Sequence, residues 1–270
     1  MSRAEAKIVF LGGGRITAAL LAGFQKARAS LPVVVHDRHL EKLRALGEQF
    51  RVEVQPDLRR AVAIADILVI AVRPNAVGHL LRSVRAINRP GVAVSLAAGV
   101  PLASLRRQMG PQAKWARAMP SPACRTCRGL TALAFDRRLL ASEKDAVRAL
   151  FSAVGAIVEV PDSKLDAFTA TFSVSHGYHA LSALASAAEK AGLDRKTALL
   201  AGAHALCDGI LSFREGQSSL EELLHEAATP GGTAAATMAA ADKAGYRKAV
   251  ELGIRAGVER ARTVANKAGV

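Results

Sequence analysis

A short apolar run, Ile8-Val9-Phe10-Leu11, passes straight into Gly12-Gly13-Gly14 and then into a helical apolar repeat from Ile16 onward. Residues of these types in this order make a cradle for phosphate. Gly12 and Gly14 permit a tight bend, and N–H groups at the start of the following helix can then face a pyrophosphate. The third position of the G-x-G-x-x-G/A pattern is Thr17, a branched residue that predicts somewhat looser packing of helix on strand. A glycine triplet alone is often only a turn, and its context raises it here. The next apolar run, Val33-Val34-Val35, ends in His36-Asp37-Arg38. That sets Asp37 about 23 residues beyond Gly14, where an acidic side chain should meet a ribose hydroxyl.

Other segments could carry chemistry as well. In Ala71-Val72-Arg73-Pro74-Asn75, Pro74 breaks a strand and suits the first turn of a helix, which places this loop at the carboxyl edge of a sheet, the usual ligand side. Ser95-Leu96-Ala97-Ala98-Gly99 ends the next run with side chains small enough for a ring to lie against backbone, or forms only a tight strand-to-helix turn. Thr229-Pro230-Gly231-Gly232-Thr233 enters the helical run Ala234 to Ala241. Its free N–H groups suit a carboxylate, or the segment is an N-terminal cap made by Thr229 or Thr233. Cys124-Arg125-Thr126-Cys127 is a lone C-x-x-C with no second pair, so these read as loop thiols and no metal is expected.

A scaffold of alternating strands and helices must position these segments. Strand-like runs fall at Ile8 to Leu11, Val33 to Val35, Val52 to Val54, Ile67 to Val72, Val92 to Leu96, Lys114 to Ala118, Leu130 to Phe135 and Ala156 to Val160. Most are apolar on both faces, as strands covered by helices on either side must be. Pro161-Asp162 marks a boundary, with Asp162 or Ser163 available to cap the next helix. Beyond it the pattern is helical throughout. The fold class is therefore α/β, an N-terminal Rossmann-like doubly wound sheet over residues 1–160 followed by an all-helical dimerisation domain over 161–270. Ala-rich helices such as Ala198 to Leu206 are apolar over much of their circumference and need more than one neighbour. The expected extra neighbour is a second copy, giving a homodimer or a higher oligomer built on it, against the plainer reading of a compact monomeric bundle packed against the sheet.

The totals narrow the function classes. The chain has 270 residues, enough for a sizeable core in one large domain or two modest ones. Of its charged residues 37 are basic and 23 acidic, a formal net charge of +14 that invites a nucleic-acid reading. The arginines are scattered, however, and no basic block or stacking aromatic motif accompanies them, so no nucleic acid is expected. A positive field draws in an anionic cofactor and substrate instead. No run is long and apolar enough to span a bilayer, the first residues lack a signal-peptide core, and three cysteines cannot close a disulfide framework. The expectation is a cytoplasmic protein without membrane contact.

Taken in order, Phe10 to Gly14, Ala71-Val72-Arg73-Pro74, Val94 to Gly99, Arg117-Ala118-Met119-Pro120, Leu165 to Ala170, Thr229 to Thr233 and Gly245-Tyr246-Arg247 resemble the pyrroline-5-carboxylate reductase family over nearly the whole chain. The resemblance implies NAD(P)H as cofactor and hydride transfer to a cyclic imine carboxylate, yielding proline. It also implies roles for residues. Gly12, Gly14, Arg15 and Ile16 would hold the pyrophosphate, and Asp37 and Arg38 the ribose. Ala71, Val72, Arg73, Pro74, Ala97 and Ala98 would line the nicotinamide side. Ser121, Thr229, Gly231, Gly232 and Thr233 would take the substrate. An acidic Asp37 suits the free 2′-hydroxyl of NADH while Arg38 accommodates a 2′-phosphate, which puts NADH slightly ahead of NADPH.

Departures from the family pattern gather at the substrate end. Met119-Pro120-Ser121-Pro122-Ala123 stands where the family reads Met-Pro-Asn-Thr-Pro, and Ala234 replaces a second threonine. Thr171 to Tyr178 replaces a Gly-Ser-Gly-Pro-Ala-Tyr turn. The substrate is then either the proline precursor or another small cyclic imine or carbonyl acid. His176, or its neighbour His179, is the candidate proton donor in place of a lost hydroxyl, against the plainer reading of a solvated or core histidine. A hydroxyacid dehydrogenase would want a catalytic lysine behind a glycine-rich segment, a setting that Lys164 and Lys190 lack. A nucleotide-binding paralogue that has lost catalysis is the other rival, supported by the altered turn.

Overall fold

The computed structural model describes residues 6–85, 87, 91–110 and 113–267, with side chains through residue 264. The strands are β1 (Ile8–Leu11), β2 (Val33–His36), β3 (Glu53–Val54), β4 (Ile67–Ile70), β5 (Gly91–Ser95), β6 (Ala113–Pro120), β7 (Gly129–Phe135) and β8 (Gly155–Glu159). Between them run helices α1 (Arg15–Lys26), α2 (Leu40–Phe50), α3 (Leu58–Ala63), α4 (Pro74–Arg85), α5 (Leu102–Met109) and α6 (Ala141–Ser152). There follow α7 (Leu165–Thr171), α8 (Ser175–Lys190), α9 (Arg195–Glu215), α10 (Leu220–Ala227), α11 (Thr233–Lys243) and α12 (Tyr246–Lys267).

All eight strands form one sheet in the order β3-β2-β1-β4-β5-β6-β7-β8. Neighbours run parallel except β6 and β7, which are antiparallel. The reversal needs no crossover helix, and a 3₁₀ turn over Pro122–Thr126 connects the pair. Period-two alternation divides the central strands β1, β2, β4 and β5 between two cores. Ile8 and Phe10 face a layer made by Leu20, Leu21 and Phe24 of α1, Leu43 and Leu46 of α2 and Leu150 and Phe151 of α6. Val9 and Leu11 face Val62 of α3, Val77 and Leu81 of α4, Leu105 of α5 and the fully buried Trp115. Burying each of these large side chains contributes about 1.5–3 kcal/mol, so a run apolar on both faces is held firmly at the centre of the sheet. β8, at the edge, is mostly exposed.

By its contacts the chain divides into two compact units, residues 1–172 with 255–270, and residues 173–254. The contact boundary thus falls within the altered turn after α7, later than the Pro161-Asp162 signal. The reason is local: Leu165 of α7 is buried with Met119, Ala132 and Ala134 of the sheet. The later turns of α12 also belong with the first unit. There Gly99, at φ +76°, lies so close to the Ala261 carbonyl that an added Cβ would sit 2.0 Å from its oxygen. Asp162 does not cap the helix that follows it. Its carboxylate accepts the Leu102 N–H at 2.9 Å and so caps α5 from across the sequence.

In the second unit α8 and α9 form a pair. Gly202 lets them approach, since a Cβ there would lie 3.1 Å from Leu181, and Ala185 and Ala198 are buried. Asp194 caps α9 by accepting the Lys196 and Thr197 N–H groups, and Ser219 and Glu222 form a reciprocal capping box on α10. No described helix is long and apolar enough to cross a membrane.

Candidate active site

The parallel strands deliver their carboxyl ends to one edge of the sheet, and β1 stands between β2 and β4 where the chain order reverses. Ligands of doubly wound sheets bind at such a switch point. Gly12 has φ +114°, and an added Cβ would stand 2.8 Å from the Ala71 carbonyl oxygen. Both the bend and the close approach therefore require glycine. The contact brings two predicted segments together, the Gly12–Gly14 turn and the Ala71-Val72 loop after β4. Strand pairing continues the row: Gly12 N–H donates to the His36 carbonyl, Ala71 N–H to that of Leu11, and Leu96 N–H to that of Ile70. Ala97 and Ala98 follow directly, and Ser121 follows β6 at the same edge.

The cradle itself fits a pyrophosphate. Gly14 is the N-cap of α1 and supplies no side-chain cap, so the first-turn N–H groups are left to an external acceptor. Thr17 is fully buried and its hydroxyl donates to the Gly12 carbonyl at 2.6 Å. The branched residue that the motif makes unusual is thus a brace for the turn. Arg15 and Arg73 are exposed, and Pro74 opens α4.

Asp37 is only 8% exposed. Its Oδ2 accepts the Gly13 N–H at 2.8 Å and the Lys42 ammonium at 2.9 Å, and its Oδ1 accepts the His39 N–H at 3.0 Å. Burial alone would push the carboxyl up. The His39 N–H, Lys42 and the Gly13 N–H outweigh it and hold the group below the usual carboxylate range. Nothing in the spacing announces Lys42, five residues on, as the counter-charge. Arg38 is exposed beside it and donates from Nε to His39 at 3.2 Å.

A buried arginine lies under the same edge. Arg117, 1% exposed, donates to Asp162 Oδ1 at 2.8 Å and to Asp166 Oδ1 at 3.1 Å, and Asp166 Oδ1 also accepts the Gly99 N–H at 3.3 Å. One signal was available in the chain: an arginine flanked by Ala116 and Ala118 in an apolar strand calls for a buried carboxylate. Ser121 is buried, and its hydroxyl has no hydrogen-bond partner among the described residues.

The remaining candidates lie in the second unit. Gly231 has φ +76°, Gly232 caps α11, and Gly232 N–H donates to the Thr229 carbonyl at 2.9 Å. Neither Thr229 nor Thr233 caps this helix through its side chain. The start of α11 is open to an acceptor in the same way as the start of α1. His176 sits in the first turn of α8 and His179 one turn further along, and both are exposed.

The C-x-x-C segment is poorly suited to thiol chemistry. Burial pushes the Cys124 thiol up to about 11, and Cys127 Sγ lies 3.4 Å from the Gly23 carbonyl oxygen as its donor. Among the described residues no group of three or more His, Cys, Asp or Glu could hold a metal ion.

Residues 7–99 match the family described as NADP oxidoreductase, coenzyme F420-dependent, and residues 162–264 match that described as pyrroline-5-carboxylate reductase dimerisation. The chain is 30% identical to the pyrroline-5-carboxylate reductase of Synechocystis, covering 95% of this chain and 97% of that one. It is also 30% identical to that of Mycobacterium tuberculosis, covering 94% and 95%. In fold it is similar to the crystal structure of 1-pyrroline-5-carboxylate reductase from Streptococcus pyogenes, with a TM-score of 0.87, 21% identity and coverage of 96% and 99%. On the strength of these matches along its whole length, the chain belongs to the pyrroline-5-carboxylate reductase family.

Proposed function

We propose that the protein reduces the C=N bond of pyrroline-5-carboxylate with NAD(P)H, forming proline. One observation carries the reading: the glycine turns that open α1 and α11 both leave first-turn N–H groups without a side-chain cap. The first suits a diphosphate and the second a carboxylate. Gly12, Gly14, Arg15 and Ile16 then hold the pyrophosphate, and Asp37 and Arg38 the adenosine ribose. Ala71, Val72, Arg73, Pro74, Ala97 and Ala98 border the nicotinamide. Thr229, Gly231, Gly232 and Thr233 receive the substrate carboxylate, with Ser121 offering a hydroxyl.

The reduced nicotinamide supplies the hydride. What the chain contributes is placement, because a protonated imine is already electrophilic and needs neither a nucleophile nor a metal. His176, at the start of α8, is the side chain proposed to hold the imine proton. Lys42 bears on cofactor choice. Its ammonium offsets the Asp37 charge and lessens the repulsion of a 2′-phosphate, so use of both cofactors stands beside the slight lean to NADH inferred from Asp37.

The second unit supports a homodimer. Tyr178 is 71% exposed and Leu200 and Ile210 are each 59% exposed in one chain, a cost that a second copy removes. Cys124, Cys127 and Cys207 are free thiols, which suits a cytoplasmic protein.

A second reading rests on the rebuilt substrate segments. Ser121, Ala234 and the turn Phe172 to Gly177 favour another small cyclic imine or carbonyl acid. The test follows NADH and NADPH absorbance with pyrroline-5-carboxylate and a panel of cyclic imines. Oxidation with the proline precursor is the expected result. Turnover of another panel member alone establishes the second reading, and cofactor binding with no turnover would identify a paralogue without catalysis.

A further inference from the structure

The loop that leaves β5, residues 96–101, is held from beneath by a charge cluster assembled from two other segments, β6 and residues 162–166. Arg117 comes from β6, where it stands beside Ser95, the last residue of β5. Its guanidinium bridges Asp162 at 2.8 Å and Asp166 at 3.1 Å. Each carboxylate then passes its remaining capacity to the loop: Asp166 accepts the Gly99 N–H, and Asp162 accepts the Leu102 N–H where the loop enters α5. On another side Gly99 abuts the Ala261 carbonyl of α12, at a distance that leaves no room for a Cβ. Ala97, two residues before Gly99, is 1% exposed, and its N–H donates to Ser95 Oγ at 3.3 Å.

Such a cluster is costly as mere filling. The cost falls on the arginine, which is buried while the Asp162 and Asp166 side chains stay 26% and 18% exposed, and a buried charge offsets its loss of hydration only when the pairing geometry is good. Here Arg117 Nε has no hydrogen-bond partner among the described residues. The guanidinium is oriented to meet both carboxylates even though its third nitrogen goes unsatisfied. What the arrangement does achieve is a fixed backbone from Ala97 to Leu102, since two N–H groups of that stretch are tied to carboxylates that are themselves tied to one buried cation.

We propose that Arg117, Asp162 and Asp166 are positioning residues that hold the backbone at Ala98, with the buried Ala97 packed behind it, as a rigid platform for the nicotinamide. The proposal rests on the assignment of Ala97 and Ala98 to the nicotinamide side made above. None of the three touches the reacting atoms. They act through Gly99 and Leu102, and a displacement of about 1 Å at a hydride donor is enough to cost on the order of 10²-fold in rate.

The test compares a ligand that carries nicotinamide with one that lacks it. Calorimetric titration of the full-length wild type with NADP⁺ and with 2′,5′-ADP is repeated for Asp166→Ala and Asp166→Asn, with thermal melts to verify folding. Asp166→Ala is expected to weaken NADP⁺ about tenfold and leave 2′,5′-ADP unchanged, because the glycine cradle is untouched. Its kcat with pyrroline-5-carboxylate is expected to fall about 10- to 100-fold, with little change in KM for the imine. Asp166→Asn keeps an oxygen that can accept the Gly99 N–H and is expected to recover most of both losses. Should Asp166→Ala fail to fold, Arg117→Lys carries the test, since a lysine cannot bridge both carboxylates, and the same selective loss of NADP⁺ is expected. Equal loss of both ligands, or loss of neither, overturns the platform. A wild type that binds neither this pair nor NAD⁺ and ADP in their place overturns the cofactor reading and the platform with it, and where only the NAD⁺ pair binds it replaces the first in the comparison; wild-type binding with indifferent variants overturns the platform alone.

Discussion

The Asp37 carboxylate accepts the Gly13 N–H at 2.8 Å, so the acid that closes β2 and the glycine turn that closes β1 form one hydrogen-bonded unit. The same oxygen holds the Lys42 ammonium at 2.9 Å. A residue expected to act on ribose from outside the turn is thus built into the turn, and its charge is shared with a lysine.

Lys42→Ala should therefore weaken NADPH more than NADH. An exposed charge contributes up to about 1 kcal/mol, which corresponds to a differential loss of up to about fivefold. Titrations with each cofactor at low and high salt check this, and the gap should narrow as salt screens the site. Equal losses for the two cofactors would place Lys42 away from the 2′ position.

The turn after β1 has its own two tests. Gly12→Ala forces a Cβ to within 2.8 Å of the Ala71 carbonyl oxygen at φ +114°, so dinucleotide binding should be lost together with about 1–3 kcal/mol of stability. Thr17→Val keeps the shape and removes the hydroxyl that donates to Gly12. It leaves a buried carbonyl short of one partner, at a cost of about 1 kcal/mol and a modest drop in cofactor affinity. Denaturant melts and calorimetry read both effects.

If His176 holds the imine proton, His176→Ala loses at least about 10²-fold in turnover. His179→Ala, one turn further along α8, should keep turnover near that of the wild type. The measurement is kcat and kcat/KM for the three proteins. Matching rates for all three would remove both histidines from the mechanism.

Asp136 offers a stability test away from the site. Its side chain is fully buried and meets Arg138 at 3.1 Å and Arg106 at 3.5 Å. Burial would raise its carboxyl, but the Arg138 N–H and guanidinium, with Arg106 adding to them, hold it below its ordinary value. A depressed folded-state value means that the contribution is present above the unfolded value of about 3.9 and is lost as pH falls through the folded one. Asp136→Asn should cost about 1.5–3 kcal/mol near pH 7, with the difference from wild type closing in acid. Urea unfolding at neutral pH and below pH 4 (roughly, the unfolded value) decides it.

Much of the architecture could be read along the chain because it rests on short-range pattern. Each apolar run predicted as a strand is one, though the fourth stops at Ile70 and the third is only Glu53–Val54. Period-two alternation of large apolar residues is a local property, and burial on both faces rewards it wherever the run falls. Gly12, Pro74 and Gly231 were visible for a related reason, since their backbone limits are intrinsic to the residue. The antiparallel turn-back of β6 on β7 was not visible, because a short connection is compatible with either sheet edge.

Residue types and local periodicity thus settled where the strands run, where the chain makes its glycine turns and which half is helical. The folded chain settled who partners whom. Arg117 reaches carboxylates 45 and 49 residues away, Asp162 caps a helix 60 residues earlier, and Asp37 turns inward to Gly13 across 24 residues. Such pairings are chosen by the cost of leaving a buried charge or N–H unmet, and that cost exists only once packing has removed water from around them.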